Sequence, residues 1–159
     1  MAKYQVIIGR SEEIDVVGTS LGVPAKIDTG AYRSSIHATN IKKRVVEGKE
    51  VLTFSLFGHK NAPIKRDLQS SDFNEVTVRS SNGQTEVRYE VKLKIKLANK
   101  IFTTSFSLSD RSNNLYPVLI GRTALSTRFL VDVAKTSLKI EQLLRSFSVT
   151  PKDFEEGMD

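Results

Sequence analysis

Apolar residues in this chain fall in short runs broken by Gly, Pro and Asn, and most runs alternate with period two, the spacing of a half-buried strand. Val6-Ile7-Ile8-Gly9-Arg10 predicts a first strand that turns near Ser11-Glu12-Glu13. Ile14-Asp15-Val16-Val17 predicts a second, closing on Gly18 to Gly22, and Val23-Pro24-Ala25-Lys26-Ile27 a third, with Pro24 at a strand start or sheet edge because its ring removes a backbone donor. Ser34-Ser35-Ile36-His37-Ala38 follows, with Asn40 at its end, and Val51 to Phe57 alternates after a turn at Gly48. Gly58 to Arg66 is a loop, and Phe73 to Ser80 is extended again. The pair Asn82-Gly83 has the positive-φ preference of a two-residue hairpin turn.

The return arm is the most regular segment, with Val87, Tyr89, Val91, Leu93, Ile95 and Leu97 on one face and Arg88, Glu90, Lys92, Lys94 and Lys96 on the other. Lysines on the outer face of a strand discourage edge pairing, so they require no ligand. Ile101 to Leu108 continues what reads as a meander, and Tyr116 to Gly121 is an apolar strand. Thr123 predicts the cap of a short helix over Ala124 to Phe129, and Leu130 to Val133 with Ser137 to Ile140 a closing pair of strands. The fold class that follows is mainly β, a single-domain, partly closed β-barrel over residues 1–149 with one short C-terminal helix, then an acidic tail over 150–159.

Composition narrows the functions available. With 159 residues the chain can bury a core without staples, and zero cysteines exclude a disulfide framework, a thiol nucleophile and a thiolate metal site. The start at Met1 runs straight into a strand pattern, so no signal peptide is expected; no apolar run is long enough to span a membrane, and the expected location is cytoplasmic. The net charge of +6 raises the question of an anionic partner. Without Trp and without a recurring basic-plus-aromatic pattern, nucleic acid is not the expected one.

Candidate chemistry centres on Ile27-Asp28-Thr29-Gly30-Ala31. Asp28 is a potential acid or base, Thr29 could hold the loop through its hydroxyl, and Gly30 permits a close turn with its N–H facing the carboxylate. Asp-Thr-Gly also makes an ordinary tight turn, so the stretch alone leaves both readings open. A second feature lies near the other end, where an apolar strand ends Leu119-Ile120-Gly121-Arg122 before the short helix.

Together these segments resemble the retropepsin-like aspartic peptidases, in which an Asp-Thr-Gly-Ala loop carries the catalytic aspartate and a later apolar-apolar-Gly-Arg segment packs beneath it. The resemblance is greatest to the branch labelled ATP-dependent zinc proteases, which often accompany glutamate ligases of the ATP-grasp type. It rests on Ala25 to Ala31, Ser34 to Ala38, Tyr116 to Leu125 and Arg128 to Asp132, and it touches most of the chain from Ile8 to Leu138. Tyr32-Arg33-Ser34-Ser35 departs from the Arg-Thr-Ser-like residues of that branch, and the stretch between the motifs is longer than in the viral enzymes.

The resemblance implies an aspartic endopeptidase with Asp28, Thr29 and Gly30 as catalytic residues. Ala31, Arg33, Asn82 and Gly83 would contact substrate, the Asn82-Gly83 hairpin serving as a flap, and Leu119, Ile120, Gly121 and Arg122 would support the site. Such chemistry needs two carboxylates sharing a proton, and this chain has one Asp-Thr-Gly, so a homodimer is implied. No cofactor is expected. The zinc label meets only two histidines, His37 and His59, no cysteine and no His-Glu-x-x-His, and no metal ligand is assigned; His37 reads as structural or as a substrate contact. A peptide or protein substrate rich in glutamate would suit the branch, with Arg33, Lys42, Lys43, Arg44 or Arg122 pairing with its carboxylates. Arg122, next to Gly121, reads better as a brace of the fold or of the dimer against a carboxylate. The alternative function is a non-catalytic peptide- or protein-binding module on the same scaffold.

Overall fold

In the computed structural model, which describes residues 6–79 and 82–136, the chain forms β1 (Val6–Ile8), β2 (Ser11–Val16), β3 (Ser20–Ile27), β4 (Ser34–Val46), β5 (Lys49–Leu56) and β6 (Arg66–Ser70). There follow β7 (Phe73–Arg79), β8 (Thr85–Leu97), β9 (Lys100–Ser109), β10 (Val118–Ile120), the single-turn helix α1 (Arg122–Leu125) and β11 (Phe129–Val131). Neighbouring strands run β10-β3-β2-β8-β9-β4, and β10 also pairs with β4, so these six strands close a barrel. Two of the six strand pairs of the ring are hairpins, β2–β3 and β8–β9; the other four are long-range, β2 with β8 and β4 with β10 antiparallel, β3 with β10 and β4 with β9 parallel. Ile14, Ile36, Val91, Ile95, Leu97, Phe106, Val118 and Ile120 fill the interior, each worth roughly 1.5–3 kcal/mol of transfer free energy. No helix among the described residues is long and apolar enough to cross a membrane.

Two strands are longer than the barrel and leave it. β4 spends Ser34 to His37 beside β9 and its outer half beside β5, with β6 added beyond β5. β8 pairs with β9 from Glu90 to Leu97 and with β7 from Thr85 to Val91, so the β7–β8 hairpin projects past the barrel wall. The alternation along β8 therefore buries Val91, Ile95 and Leu97 but leaves Val87 exposed.

Several local expectations change. Ser11-Glu12-Glu13 is the start of β2 rather than a turn, Ser11 being buried. Pro24 lies inside β3 opposite Glu13, and β10 begins to pair only at Ala25, so its missing N–H falls just beyond that ladder. Asn40 does not end a strand: at φ 54° it sits in the register shift that bends β4. β6 arises within a stretch without alternation.

The Arg79↔Thr85 register centres the β7–β8 connection on Asn82, which excludes a two-residue Asn82-Gly83 turn; Gly83 instead takes the positive φ, 84°. Thr123 is not a cap but the second residue of α1, whose N-cap is Gly121 without a side-chain bond. β11 pairs in parallel with β1. The predicted partner over 137–140 and the tail at 150–159 lie outside the described residues.

Candidate active site

β3 ends at Ile27 and the chain leaves the barrel at Asp28, whose N–H donates to the Ile120 carbonyl of β10 at 2.9 Å. Its half-exposed carboxylate accepts from Gly30 N–H through Oδ1 at 2.9 Å, and Ala31 N–H closes the turn on the Asp28 carbonyl at 3.3 Å. A Cβ on Gly30 would stand 3.2 Å from Oδ1, so the close approach itself favours glycine here. Thr29 is exposed and its carbonyl accepts from Arg122 Nη1 at 3.1 Å.

The next segment holds this loop from below. Arg122 and Thr123 donate their N–H groups to the carbonyls of Ala31 and Tyr32 at 2.8 and 3.1 Å, and Gly121 N–H donates to the buried Ser34 hydroxyl at 3.0 Å. The first N–H groups of α1 thus find partners in the loop, which is why the helix needs no side-chain cap. Ile120, Gly121 and Arg122 thus bond directly to the 28–34 segment, and Leu119 pairs with Lys26 of β3 and Ser35 of β4. Arg122 bonds a backbone carbonyl and its guanidinium lies 5.8 Å from the Tyr32 ring centroid; among the described residues no carboxylate pairs with it.

The loop stands between two hollows of different character. On one side Thr29, Tyr32, Leu125, Phe129 and Leu130 line a largely apolar depression of about 750 Å³. On the other a cleft of about 700 Å³ runs between Ala31, Arg33 and Ser35 and the β7–β8 hairpin, which contributes Val76, Arg88 and Glu90. Arg33 Nη1 meets Glu90 Oε2 at 2.5 Å, tying the loop to the base of the hairpin. Asn82 and Gly83 sit at the hairpin's far end and do not line this cleft. Lys42 and Arg44 line a separate groove of about 460 Å³ on the β4–β5–β6 sheet, and Lys43 bonds Glu75 of β7 at 2.8 Å, so the basic run is not gathered around Asp28.

Both histidines are buried behind the cleft, their rings edge to face at 5.4 Å. His37 Nδ1 accepts from Arg111 N–H at 2.8 Å. His59 Nδ1 accepts from Asn61 N–H, leaving Nε2–H to donate to the carbonyls of Arg111 and Asn114 at 3.0 and 2.8 Å. Burial lowers the pKa of each, His59 and Arg111 pushing His37 further the same way while Asp110 opposes. His37 thus fixes the loop at Arg111. With three of the four ring nitrogens committed, and no cluster of three His, Cys, Asp or Glu among the described residues, the donors do not fit a zinc site.

Ser34, Arg88 and Glu90 were not singled out by sequence pattern; the last two read as solvent-facing charges, because alternation does not say what covers the outer face of a strand.

Residues 7–142 match the RimB-like family, described as retropepsin-like aspartic endopeptidase RimB. Proteins named probable alpha-L-glutamate ligase from Shewanella pealeana and Shewanella halifaxensis are 35% and 33% identical over 90% of this chain. The chain spans only about a third of those relatives, 33% of each. The crystal structure of a protein of unknown function from Legionella pneumophila superposes with a TM-score of 0.67 at 30% identity, covering 84% of this chain and 97% of that one. With the Asp28 loop seated on Leu119 to Arg122 at the mouth of a six-stranded barrel, the chain belongs to the RimB-like family of retropepsin-like aspartic endopeptidases.

Proposed function

We propose that this protein is an aspartic endopeptidase that acts as a homodimer, with Asp28 of each copy forming the catalytic pair. The observation that carries this reading is the Asp28 carboxylate, half exposed at a strand end and oriented by Gly30 N–H on a loop locked from below by Gly121 and Arg122. One carboxylate of the pair takes a proton from water as the oxygen attacks the scissile carbonyl. The other gives its proton to the carbonyl oxygen, and collapse of the tetrahedral species breaks the C–N bond as the leaving amine takes up a proton.

The apolar hollow beside Thr29 favours a second copy there. Leu130 is 53% exposed, and its register partner Ile7 presents another exposed apolar side chain on the same face of the β1–β11 pair. Substrates that bear glutamate are favoured by relatives named glutamate ligases, in which this chain corresponds to one third of the length, and by the net charge of +6.

Asp28→Asn tests the reading. Asn keeps an Oδ1 acceptor for Gly30 N–H, so the fold should survive while cleavage of glutamate-rich peptides disappears and the solution mass stays dimeric. Turnover at the wild-type rate would refute catalysis by Asp28. A monomer that binds acidic peptide without cutting it would establish the binding module instead.

A further inference from the structure

Arg33 and Arg88 both line the cleft, but their surroundings differ. Arg33 is neutralised by Glu90. Among the described residues the buried Nε–H of Arg88 has no hydrogen-bond partner, and the exposed carboxylate of Glu86 stands 3.7 Å from Nη2. It lies two residues from Glu90 on the same face of β8, hence about 7 Å along the strand. A buried unpaired donor on a cation is costly, and a turn of this part-exposed side chain presents to the cleft its Nε–Nη edge, which matches the two oxygens of a carboxylate.

We propose that Arg88 is the carboxylate-recognising residue of this cleft and sets the acid preference of the peptide that occupies it, whereas Arg33 is committed to holding the catalytic loop against the hairpin. The inference rests on the cleft being the substrate channel of the proposed peptidase, but it concerns binding and does not depend on turnover. The shared chemistry is a single carboxylate, supplied either by an acidic side chain or by the free C-terminus of the peptide. A carboxylate entering the cleft meets Arg88 without first displacing an internal partner at bonding distance; at Arg33 it would have to displace Glu90. An Arg-to-Lys exchange keeps the charge but removes the planar fork, so it should restore the preference only in part.

Fluorescence anisotropy on the Asp28→Asn protein isolates binding from cleavage. The probes are a labelled hexaglutamate peptide and its hexaglutamine counterpart, each with a free and an amidated C-terminus. The parent should favour hexaglutamate by at least about tenfold, as expected for a charge-assisted paired contact. Arg88→Gln should abolish the preference, Arg88→Lys should retain a fraction, and Lys42→Gln, which removes an equal charge from the separate groove on the β4–β5–β6 sheet, should leave the preference intact. A glutamate-over-glutamine preference that persists with amidated peptides assigns a side-chain carboxylate; tighter binding of free-ended than of amidated peptides, alike for both sequences, assigns the terminal one. Full discrimination by Arg88→Gln, or a parent that distinguishes neither the two sequences nor free from amidated ends, would overturn the assignment. Cleavage by the wild-type protein, measured separately, reports on the peptidase reading alone.

Discussion

Replacing Gly121 with alanine should damage the Asp28 loop more than any change of similar size elsewhere. Gly121 has ordinary extended torsions, φ −98° and ψ −177°, so alanine costs nothing through the backbone itself. The cost is steric: its Cβ would lie 2.5 Å from the Arg33 carbonyl oxygen, 2.7 Å from the carbonyl carbon and 2.9 Å from the Ala31 oxygen. These are backbone atoms without rotamers, so the loop and β10 must separate. Overpacking costs about 1–3 kcal/mol. Separation also stretches the bonds from Gly121, Arg122 and Thr123 to Ser34, Ala31 and Tyr32, each worth about 1 kcal/mol net.

A loss of about 2–4 kcal/mol is therefore expected, and in a domain of this size it should lower Tm by roughly 5–15 °C. Thermal unfolding by circular dichroism reads the stability, and amide exchange at Asp28, Gly30 and Ala31 reads the loop. Gly48→Ala is the control: its φ of 78° makes alanine strained by about 1–2 kcal/mol, but nothing lies within 4 Å of its Cβ and it is distant in the fold from Asp28. Both variants should lose stability, but only Gly121→Ala should raise exchange in the loop and reduce peptide cleavage, by about a hundredfold for a displacement near 1 Å. An unchanged Tm for Gly121→Ala, or equal loop exchange in both variants, would refute the argument.

The buried histidines predict an acid-labile fold. Because burial lowers both folded pKa values from the ordinary 6.5, the unfolded chain holds more protons just below that pH. Their contribution is complete above 6.5 and is lost as pH falls towards the folded values, so the urea midpoint should drop between pH 7 and 5. His59→Gln should flatten that slope, and a midpoint rising on acidification would contradict it. Leu130→Arg should dissociate the proposed dimer: losing a leucine worth about 1.5–3 kcal/mol twice across a two-fold axis weakens association at least about a hundredfold, visible by analytical ultracentrifugation. A dimer of unaltered affinity would place the interface elsewhere.

What the amino-acid order revealed, and what it hid, follows from the range over which each feature is determined. Asp28-Thr29-Gly30 and Leu119-Ile120-Gly121-Arg122 are legible because their chemistry is local: a carboxylate beside a glycine N–H, and an apolar strand ending where only a glycine fits. The barrel strands are legible because one buried face imposes alternation. Asn40 misleads because a positive-φ residue ends a strand as readily as it bends one, and only the partner β5, which resumes pairing at Lys42, decides between them. The Asn82-Gly83 turn misleads for a related reason, since the register of β7 on β8 is fixed by the whole ladder and it centres the loop on Asn82.

The cleft is the least legible feature, and physically it has to be. Glu90 belongs by alternation to the solvent face of β8, and it becomes half-buried only because β8 outruns the barrel and meets Arg33 from a strand connection some 57 residues earlier. The same crossing places Arg88 over the cleft. Charged residues on an apparently solvated face are therefore uninformative one strand at a time, and they acquire a role where a strand too long for its barrel carries that face across another element.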